Sequence, residues 1–468
     1  MSPLLWLRRD LRIHDNPALC SALNQGATEA VFISTPHQWR DHNMAPVQAD
    51  FIKRHLVLVA NQLIEFGITL VHLQAKTYQD QVAVLEQYCQ DKDYQTVMAN
   101  REPEINELKR DEHFANTGIA LEVFECDTIL PVGTVRNKQD DMFKVFTPFK
   151  RVWLQKIEQY GVTCFSTPSI AHTTNDPKTS NAERFEFDYP CKDSSRWPLS
   201  DVVMSSVVPH FLDEKVADYA TKRDFPNIKA TSGLSPYLAI GAISPRWLAT
   251  QLIQQHPELI YDTNVPSFAW LNELIWRDFY KHLLFRYPNL AKGESFQEKY
   301  RHMHWRGNPD HFQAWCDGRT GYPLVDAAMR QLIQTGWMHN RLRMVVASFL
   351  TKHLLIDWRQ GEQFFMSQLI DGDLSANNGG WQWASSTGCD AQPYFRIFNP
   401  ITQSKKFDPN GDFIRRYVPE LRDIPDKQIH FPHDYLAKFP LTSQYWPPIV
   451  EHKEARLKAL GFFKQSLE

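Results

Sequence analysis

Residues 371–390, DGDLSANNGGWQWASSTGCD, bring carboxylates, amides and indoles close together. Asp371 and Asp373 can hold cations or hydroxyls, Asn377 offers an amide, and Trp381 and Trp383 offer flat apolar surfaces. The stretch has too few aliphatic residues for a core helix and too many large aromatics for a solvated loop. It favours a planar ligand with polar edges. Taken alone, the two aspartates are better explained as an N-cap and a surface acid.

A second segment, ATSGLSPYL at residues 230–238, offers hydroxyl and backbone N–H donors ahead of a helix. Pro236 fits the first turn of that helix. The free N–H groups of a helix start can bind a phosphate. An N-cap role explains Ser235 equally well.

The composition sets limits on the class of protein. A chain of 468 residues exceeds the size of one core, so at least two domains are expected. Aromatic residues make up 13%, which indicates either a large core or stacking surfaces. The net charge of -3 means that a nucleic-acid partner would need a local basic face. The candidates for that face, which is more often merely solvated, are Arg341, Arg343, Arg396, Lys405, Lys406, Arg415 and Arg416.

Several other functional classes have no sequence signature here. The seven cysteines are scattered without a C-x-x-C pair, which indicates reduced thiols in a cytosolic protein. Neither a signal peptide nor a run of about 18 apolar residues occurs, so a cytoplasmic location is expected. His302 and His304 form an isolated H-x-H pair, which is more often loop surface than a metal site.

The first 131 residues alternate between apolar runs and helical patterns. LLWLRRD, EAVFIST, ITLVHLQ and YQTVMAN are predicted strands, and QADFIKRHLVLVANQLIEFG is a predicted helix ending near Gly67. This alternation predicts a parallel sheet with flanking helices. The turn after the first run lacks the G-x-G-x-x-G pattern, so dinucleotide binding of the Rossmann type is not expected.

The remaining chain changes character twice. Residues 132–200 are predicted to be an interdomain linker because residues 166–200 are rich in Ser, Thr, Pro and Asn. Residues 201–468 show helical periodicity and no convincing strand, which predicts a mostly α-helical domain. Breaks between helices are expected near Gly336 and Gly361.

Six segments together resemble the photolyase and cryptochrome flavoproteins, most closely the folate-type class I cyclobutane pyrimidine dimer photolyases of bacteria. The resemblance runs from WLRRDLRIHDNPAL to WPPIVEHKEAR, nearly end to end. The segments that carry it are TSGLSPYL, WLNELIWRDFY, GYPLVDAAMRQL, TGWMHNRLRMVVASFL, FMSQLIDGDLSANNGGWQW and PYFRIFNP.

The resemblance implies an FAD bound within the helical domain. Asp371 and Asp373 are expected at the ribityl–flavin region, Arg343 is expected to pair with Asp371, and Asn377 is expected to face flavin N5. A buried anionic flavin needs fixed cations and donors, and an amide at N5 favours the fully reduced state. The other expected FAD contacts are Tyr219, Thr231, Ser232, Gly233, Leu234, Ser235, Trp270 and Gly372. At Gly233 some relatives carry Arg or Lys.

The substrate implied by the resemblance is a pyrimidine dimer flipped out of DNA. Trp276 and Trp383 are expected to wall the cavity, Glu273 and Asn340 to bond the bases, and Met344 to lie against the ring. An electron from light-excited flavin would split the dimer, so no general base or nucleophile is required. The residues expected at the DNA backbone or nearby are Arg223, Arg277, Arg341 and Gln403.

Two further groups follow from the same resemblance. Trp381, Trp358 and Trp305 match an indole relay that reduces oxidised FAD, although Trp358 taken alone is better explained as core. Asn106, Glu107 and Lys292 match positions that bind a methenyltetrahydrofolate antenna, and Ala291 departs from the Cys found in some relatives.

Three alternatives to a lyase that repairs cyclobutane pyrimidine dimers can be weighed from the sequence. A cryptochrome-type photoreceptor is the main alternative, but such proteins often replace the residue at position 377, whereas this chain has Asn377. Enzymes acting on (6-4) photoproducts carry His near positions 340 and 344, where this chain has Asn340 and Met344. A generic flavin oxidoreductase would need a nicotinamide site, and no fingerprint for one is visible. A DNA-repair lyase acting as a monomer is therefore expected.

Overall fold

A computed structural model describes residues 2–166, 185–439 and 445–465. The chain divides into two compact units that both draw on separated stretches of sequence. The first comprises residues 1–217, 232–291 and 370–375, and the second comprises residues 218–231, 292–369 and 376–468. The sequence-based boundaries at residues 131 and 200 stay a prediction.

The first unit contains a parallel sheet of five strands in the order β3-β2-β1-β4-β5. Four strands coincide with the predicted apolar runs, which confirms the parallel α/β arrangement expected from their alternation. The fifth was missed because its side chains alternate between exposed and half-buried, so it lacks an apolar run. The strands are β1 Leu4–Leu7, β2 Glu29–Ser34, β3 Thr69–Gln74, β4 Thr96–Asn100 and β5 Ala120–Phe124.

The helices of the first unit flank this sheet or follow it in the chain. The long helix predicted from periodicity begins at Pro46 and ends shortly before Gly67, whose positive φ of 75° suits a chain reversal. The α-helices are α1 Pro17–Asn24, α2 Pro36–Asp41, α3 Pro46–Ile64, α4 Tyr78–Lys92, α5 Ile105–Ala115, α6 Phe146–Tyr160, α7 Ser200–Val202, α8 Val208–Glu214, α10 Ser235–Ala239, α11 Pro245–Gln255 and α12 Phe268–Arg286. A π-helix spans Val203–Val207, and 3₁₀ turns span Val216–Asp218, Pro257–Ile260 and Pro288–Lys292.

Part of the predicted linker is a packed helix. Helix α6 lies within residues 132–200, and its Trp153 indole donates to Asp278 Oδ2 of α12 at 2.9 Å. Asp278 also accepts hydrogen bonds from the backbone N–H groups of Ile129 and Leu130. The segment therefore belongs to the first unit's core, and residues 167–184 of the predicted linker lie outside the described residues.

The second unit is helical throughout its described part, which confirms the mostly α-helical expectation. Its core gathers residues between Trp315 and Tyr445. The α-helices are α9 Tyr219–Lys222, α13 Pro309–Cys316, α14 Pro323–Thr335, α15 Asn340–Ser348, α16 Trp358–Gln368, α17 Leu374–Ser385, α18 Pro400–Phe407, α19 Asp412–Tyr417, α20 His433–Leu436 and α21 His452–Gln465, of which α17 begins in the first unit. A π-helix spans Phe349–His353, and 3₁₀ turns span Glu298–Tyr300 and Pro419–Leu421.

One of the two predicted helix breaks is wrong. Gly336 does end α14, with φ of 70°. Gly361, in contrast, lies inside α16, which is capped by the Asp357 side chain. A Cβ on Gly361 would meet the Trp381 ring at 2.1 Å, so close helix packing explains this glycine.

The crevice between β1 and β4 is occupied by charged side chains. It lies where strand order reverses, the position at which open α/β sheets commonly bind ligands. Arg8 pairs with Asp111 at 2.9 Å, and Glu102 accepts from Arg9 and Arg110. A cavity of about 10 Å³ remains, enough for about one water molecule.

Among the described residues, no helix has both the length and the apolar character needed to cross a membrane.

Candidate functional site

In the first unit, the segment 370–375 holds two buried aspartates. Asp371 accepts a hydrogen bond of 2.6 Å from the Ser235 hydroxyl. The residues Asp371 and Asp373 are both buried. Gln48 fixes the segment by donating to the carbonyls of Ile370 and Gly372, at 3.2 and 2.9 Å. The N-cap explanation for Ser235 is wrong, because Ser235 is the first residue of α10 and its hydroxyl is bonded to Asp371.

Asp373 lies in a buried ionic cluster. Its Oδ2 is 2.9 Å from Lys281 Nζ, and Lys281 is also 2.9 Å from Glu104 Oε1 and 3.1 Å from Asp127 Oδ2. Burial would raise the pKa of Asp373, but Lys281 and Arg277 outweigh it and hold the pKa well below its usual range. Asp373 is therefore an ionised carboxylate at neutral pH.

Helix α12 carries several predicted site residues at spacings of three and four, which place them on one side of the helix. Trp276 stacks on Phe146 with ring centroids 3.6 Å apart, and Trp270 is buried against Phe211. Glu273 is half-buried. The Arg277 guanidinium donates to the Asp127 carboxylate at 2.6 Å. Arg277 thus already has a partner within the protein. Its predicted contact with DNA stays a prediction.

The segment before α10 has accessible donors. Ser232 is half-buried, Ser235 is exposed and Leu234 is buried. Gly233 has φ of 67° with open space around a would-be Cβ. A larger side chain at position 233 would be strained by the backbone conformation and not by a clash. This strain explains why glycine suits the position where some relatives carry Arg or Lys.

In the second unit, Asn377 belongs to a hydrogen-bonded chain of polar side chains. Its Nδ2 donates to the Glu362 carbonyl oxygen at 3.0 Å, while the neighbouring Asn378 donates to Glu362 Oε1 at 2.9 Å. Gln382 donates to Asn378 Oδ1 at 2.9 Å. Burial raises the pKa of Glu362 to about 7. Because the side-chain amide of Asn377 is planar, the hydrogen bond from its Nδ2 also fixes the direction of its Oδ1.

The two tryptophans of α17 differ in environment, as residues two apart on a helix should. Trp381 is buried against Trp315 and Phe365, with ring centroids 6.0 and 5.0 Å apart, whereas Trp383 is half-buried. Trp358 is fully buried, and half-buried Trp305 packs on Phe462 with centroids 5.4 Å apart. Of the three indoles of the predicted relay, only Trp305 is partly exposed, and the relay stays a prediction.

Helix α15 presents the remaining predicted lesion contacts. Exposed Asn340 is its first residue, and the His339 ring caps it by accepting from the Arg341 N–H at 3.2 Å. Burial lowers the pKa of His339 to about 4, so the ring is neutral and able to accept. Half-buried Met344 lies one turn further along.

The two arginines of α15 already have protein partners. Arg341 pairs with Asp224 at 2.7 Å and lies over the Phe407 ring at 4.5 Å. Arg343 Nε donates to the Met338 carbonyl oxygen at 2.8 Å. The backbone contact of Arg341 and the pairing of Arg343 with Asp371 stay predictions.

Four further predicted site residues lie in the second unit. Tyr219 is buried with the Arg223 guanidinium 5.7 Å from its ring centroid. Thr231 is half-buried. Gln403 on α18 has an enclosed Oε1 that accepts no hydrogen bond from the part of the chain that the structure describes.

The residues predicted to hold the antenna occupy contrasting environments. On α5, exposed Asn106 lies 3.3 Å from the His42 ring, whereas Glu107 is buried. Burial, with the nearby carboxylates Glu104 and Glu102, raises the pKa of Glu107 to about 7. Lys292 is exposed at the end of its 3₁₀ turn. The antenna site stays a prediction.

Sequence patterns alone missed Lys281 and Glu362. Lys281 follows Arg277 by four residues on α12, a spacing that could have indicated a shared ionic partner. Glu362 is an acid in an otherwise amphipathic helix, and no local pattern shows that its carboxyl is enclosed.

Comparison with known proteins identifies the family. Residues 3–169 match the family model described as DNA photolyase, and residues 270–465 match the FAD binding domain of DNA photolyase. The chain is 46% identical to a deoxyribodipyrimidine photo-lyase of Vibrio cholerae, covering 98% of this chain and 99% of that one. It is 44% identical to the Escherichia coli protein of the same name, covering 98% of each.

Solved structures agree with this assignment. A bacterial class III photolyase from Agrobacterium tumefaciens is 33% identical with a TM-score of 0.81, covering 100% of this chain and 98% of that one. A Synechocystis cryptochrome is 26% identical with a TM-score of 0.83, covering 98% and 99%. The chain belongs to the DNA photolyase family, which confirms both the resemblance and the fold class.

FAD is the cofactor that this family assignment implies, and the residues present fit it. The accessible hydroxyl of Ser232 suits phosphate oxygens, and the ionised carboxylate of Asp373 suits ribityl hydroxyls. The Ser235 hydroxyl already donates to Asp371, so it can donate to a phosphate only by giving up that bond. Asn377 offers an oriented amide oxygen for a ring N–H. The expectation of FAD is confirmed by the matching domain family.

Proposed function

We propose that this protein is a light-dependent lyase that repairs cyclobutane pyrimidine dimers in DNA. The observation that carries the proposal is 44–46% identity over 98% of the chain to bacterial deoxyribodipyrimidine photo-lyases. Reduced anionic FAD, when bound, supplies the electron that opens the cyclobutane ring on illumination. The protein must therefore bind the cofactor, exclude water and present the dimer, and it needs no nucleophile.

The proposed flavin-binding roles are divided among several groups of residues. Asp371 and Asp373 would bind the ribityl–flavin region from a segment fixed by Gln48, with Arg343 supplying positive charge. Thr231, Ser232 and Ser235 would bind the phosphates. The remaining contacts would come from Tyr219, Gly233, Leu234, Trp270 and Gly372.

Asn377 would face flavin N5. Its amide oxygen is oriented by the bond from its Nδ2 to the Glu362 carbonyl. An amide cannot readily release a proton, so it favours the fully reduced cofactor.

The lesion would be held by aromatic walls and polar donors. Trp276, already stacked on Phe146, and half-buried Trp383 would cover the flipped bases. Glu273 and Asn340 would hydrogen-bond them, with Met344 against the ring. Arg223, Arg277, Arg341 and Gln403 would contact the DNA backbone or groups near it.

The relay and the antenna complete the proposal. Trp381, Trp358 and Trp305 would carry electrons inward to reduce oxidised FAD. Asn106, Glu107 and Lys292 would bind methenyltetrahydrofolate as a light-collecting group. We further propose that the protein acts as a monomer in the bacterial cytoplasm, associated with the nucleoid while bound to DNA.

The test is repair of dimer-containing DNA by the reduced holoprotein under near-ultraviolet or blue light. We expect restored pyrimidines in the light and none in the dark. A photoreceptor, the alternative favoured by the likeness to a Synechocystis cryptochrome, would change its flavin spectrum on illumination and leave the dimers intact. Intact dimers after illumination of fully reduced protein would overturn the proposal.

A further inference from the structure

Lys281 is a fully buried lysine surrounded by acids. Only 1% of the residue is exposed, and its ammonium contacts Glu104, Asp127 and Asp373 within 3.1 Å. A buried ammonium that lost these partners would cost several kcal/mol. The three acids come from distant parts of the chain, so Lys281 joins them at one point.

Two arginines balance the other two acids of this cluster. Arg9 bonds Glu104, and Arg277 lies 2.6 Å from Asp127. Lys281 lies 2.9 Å from Asp373. Arg9 also bonds Glu102, which is shared with Arg110, so the cluster belongs to a larger network of buried ion pairs. The buried Glu107 stands nearby with a pKa raised to about 7, so it adds little negative charge below that pH.

The orientation of Asp373 is fixed at both oxygens. Its Oδ2 faces the Lys281 ammonium at 2.9 Å, and its Oδ1 accepts from the Ser375 hydroxyl. A charge-assisted bond to one oxygen and a hydroxyl bond to the other prevent rotation of the carboxylate. A group held in this way is preorganised for a ligand.

We propose that Lys281 is a positioning residue for FAD, which keeps Asp373 ionised and oriented so that it can bind the cofactor. The inference rests on the proposed function, in which Asp373 contacts the ribityl–flavin region. In this proposal the effect of Lys281 on FAD passes through Asp373, while its contacts with Glu104 and Asp127 hold the ammonium in place. Its removal therefore weakens cofactor retention as long as the aspartate is present.

The experiment measures FAD release from the holoprotein between pH 5 and 8.5, followed by flavin fluorescence. The variants are Lys281→Met, Lys281→Arg, Asp373→Asn and the double variant Lys281→Met/Asp373→Asn. Outer partners that fix a ligating group contribute about 10- to 100-fold at metal sites. We expect Lys281→Met to release FAD about tenfold faster than the parent, and Lys281→Arg to restore slow release.

The double variant separates positioning from general damage. If Lys281 acts through Asp373, the double variant releases FAD at the same rate as Asp373→Asn. Release from Lys281→Met should slow as pH rises, because its Asp373 then regains its charge. That dependence must vanish in the double variant, which retains Glu107. A double variant that releases FAD faster than Asp373→Asn, by the factor seen for Lys281→Met, would overturn the proposal.

The experiment still tests the role of Lys281 if the Lys281→Met variant fails to fold. Should Lys281→Met be insoluble, comparison of Asp373→Asn with the double variant still tests the coupling. The double variant removes one cation and one carboxylate together, and Glu104 and Asp127 keep Arg9 and Arg277 as partners. Lys352, another fully buried lysine, donates to the Arg396 carbonyl at 3.0 Å, so Lys352→Met is the matched control and should keep the parent's rate.

Failure of this inference differs from failure of the proposed function. A parent that binds FAD and repairs dimers, together with an Asp373→Asn variant that retains FAD normally, overturns the role of Lys281 alone. A parent that fails to repair dimers in the light overturns the function.

Discussion

Glu362 shows how burial changes the chemistry of one side chain. Its carboxyl is nearly enclosed on α16, where Asn378 donates to Oε1 at 2.9 Å. Burial raises its pKa to about 7, so near neutral pH a large fraction is protonated. Its backbone carbonyl holds Asn377, and therefore the same residue supports the amide proposed to face the flavin.

Replacing Glu362 by Gln should remove a pH-dependent loss of stability. The unfolded carboxyl ionises near pH 4.5 but the folded one near pH 7, so the parent's free energy of unfolding falls as pH rises between those values. The free energy of unfolding of Glu362→Gln, relative to that of the parent, should therefore increase by up to about 3 kcal/mol between pH 5 and pH 8. Urea unfolding at both pH values measures this. Glu298→Gln, at an exposed site, is the control, and parallel profiles for parent and Glu362→Gln would contradict the expectation.

The close contact between α16 and α17 depends on a glycine, Gly361, which has no side chain to separate the two helices. At Gly361 a Cβ would lie 2.1 Å from Trp381 Cη2 and 2.6 Å from Leu350 Cδ2. Distances under 3 Å require movement of the ring or of the helix. The position of Trp381 is therefore set by a glycine on the neighbouring helix.

Substitution of this glycine should damage both packing and electron transfer. Alanine normally favours a helix interior by about 1 kcal/mol over glycine, but overpacking costs about 1–3 kcal/mol. We expect Gly361→Ala to lose about 1–2 kcal/mol and to photoreduce oxidised FAD more slowly because Trp381 is displaced. Gly461→Ala on α21 meets nothing within 4 Å, so it should be neutral or stabilising. Equal behaviour of the two variants would contradict this explanation.

The elements differ in how far the sequence predicts them. Four strands and the long helices α3, α12 and α14 follow from uninterrupted periodicity, which local side chains determine. Strand β5 was missed because it lacks an apolar run. Helix α6 was missed although its buried residues recur at spacings of three and four, because the segment was interpreted as a linker from its polar second half. Gly361 was misread as a break because its contact with Trp381 is not visible in the sequence. The site residues followed from the family resemblance, whereas the partner of Ser235 and the role of Lys281 needed three-dimensional contacts.

The charge of the whole molecule, -3, does not announce a polyanionic partner, so the basic residues must be sorted by their contacts. Arg415 donates to the carbonyls of Arg422 and Ile424 and to Asp426. Arg416 donates to Asn227 Oδ1 at 2.9 Å. Arg396, Lys405, Lys406 and Arg416 are exposed. Arg396, Lys405 and Lys406 are thus better candidates for phosphate contacts than Arg415, whose guanidinium is bonded to several protein groups.

Measurements of DNA binding should distinguish the exposed basic residues from Arg415. Arg396→Ala should weaken binding of dimer-containing DNA and reduce the slope of log K against log salt by about 1. Arg415→Ala should leave that slope unchanged and lower stability by about 1–2 kcal/mol, because its carbonyl and carboxylate partners lose their donor. Binding titrations at several salt concentrations, with urea unfolding, test both. A reduced slope for Arg415→Ala alone would reverse the assignment.

The ionic cluster around Lys281 has a consequence for the order in which the chain is synthesised. Glu104 precedes Lys281 by 177 residues, a delay of about 10–35 s at bacterial translation rates. During that interval the finished strands of the sheet leave the ribosome with Glu104 and Asp127 still lacking the ammonium that neutralises them. Asp373 arrives later still. The buried ionic cluster is therefore completed only after Lys281 and Asp373 have been synthesised, although Arg9 can pair with Glu104 before then.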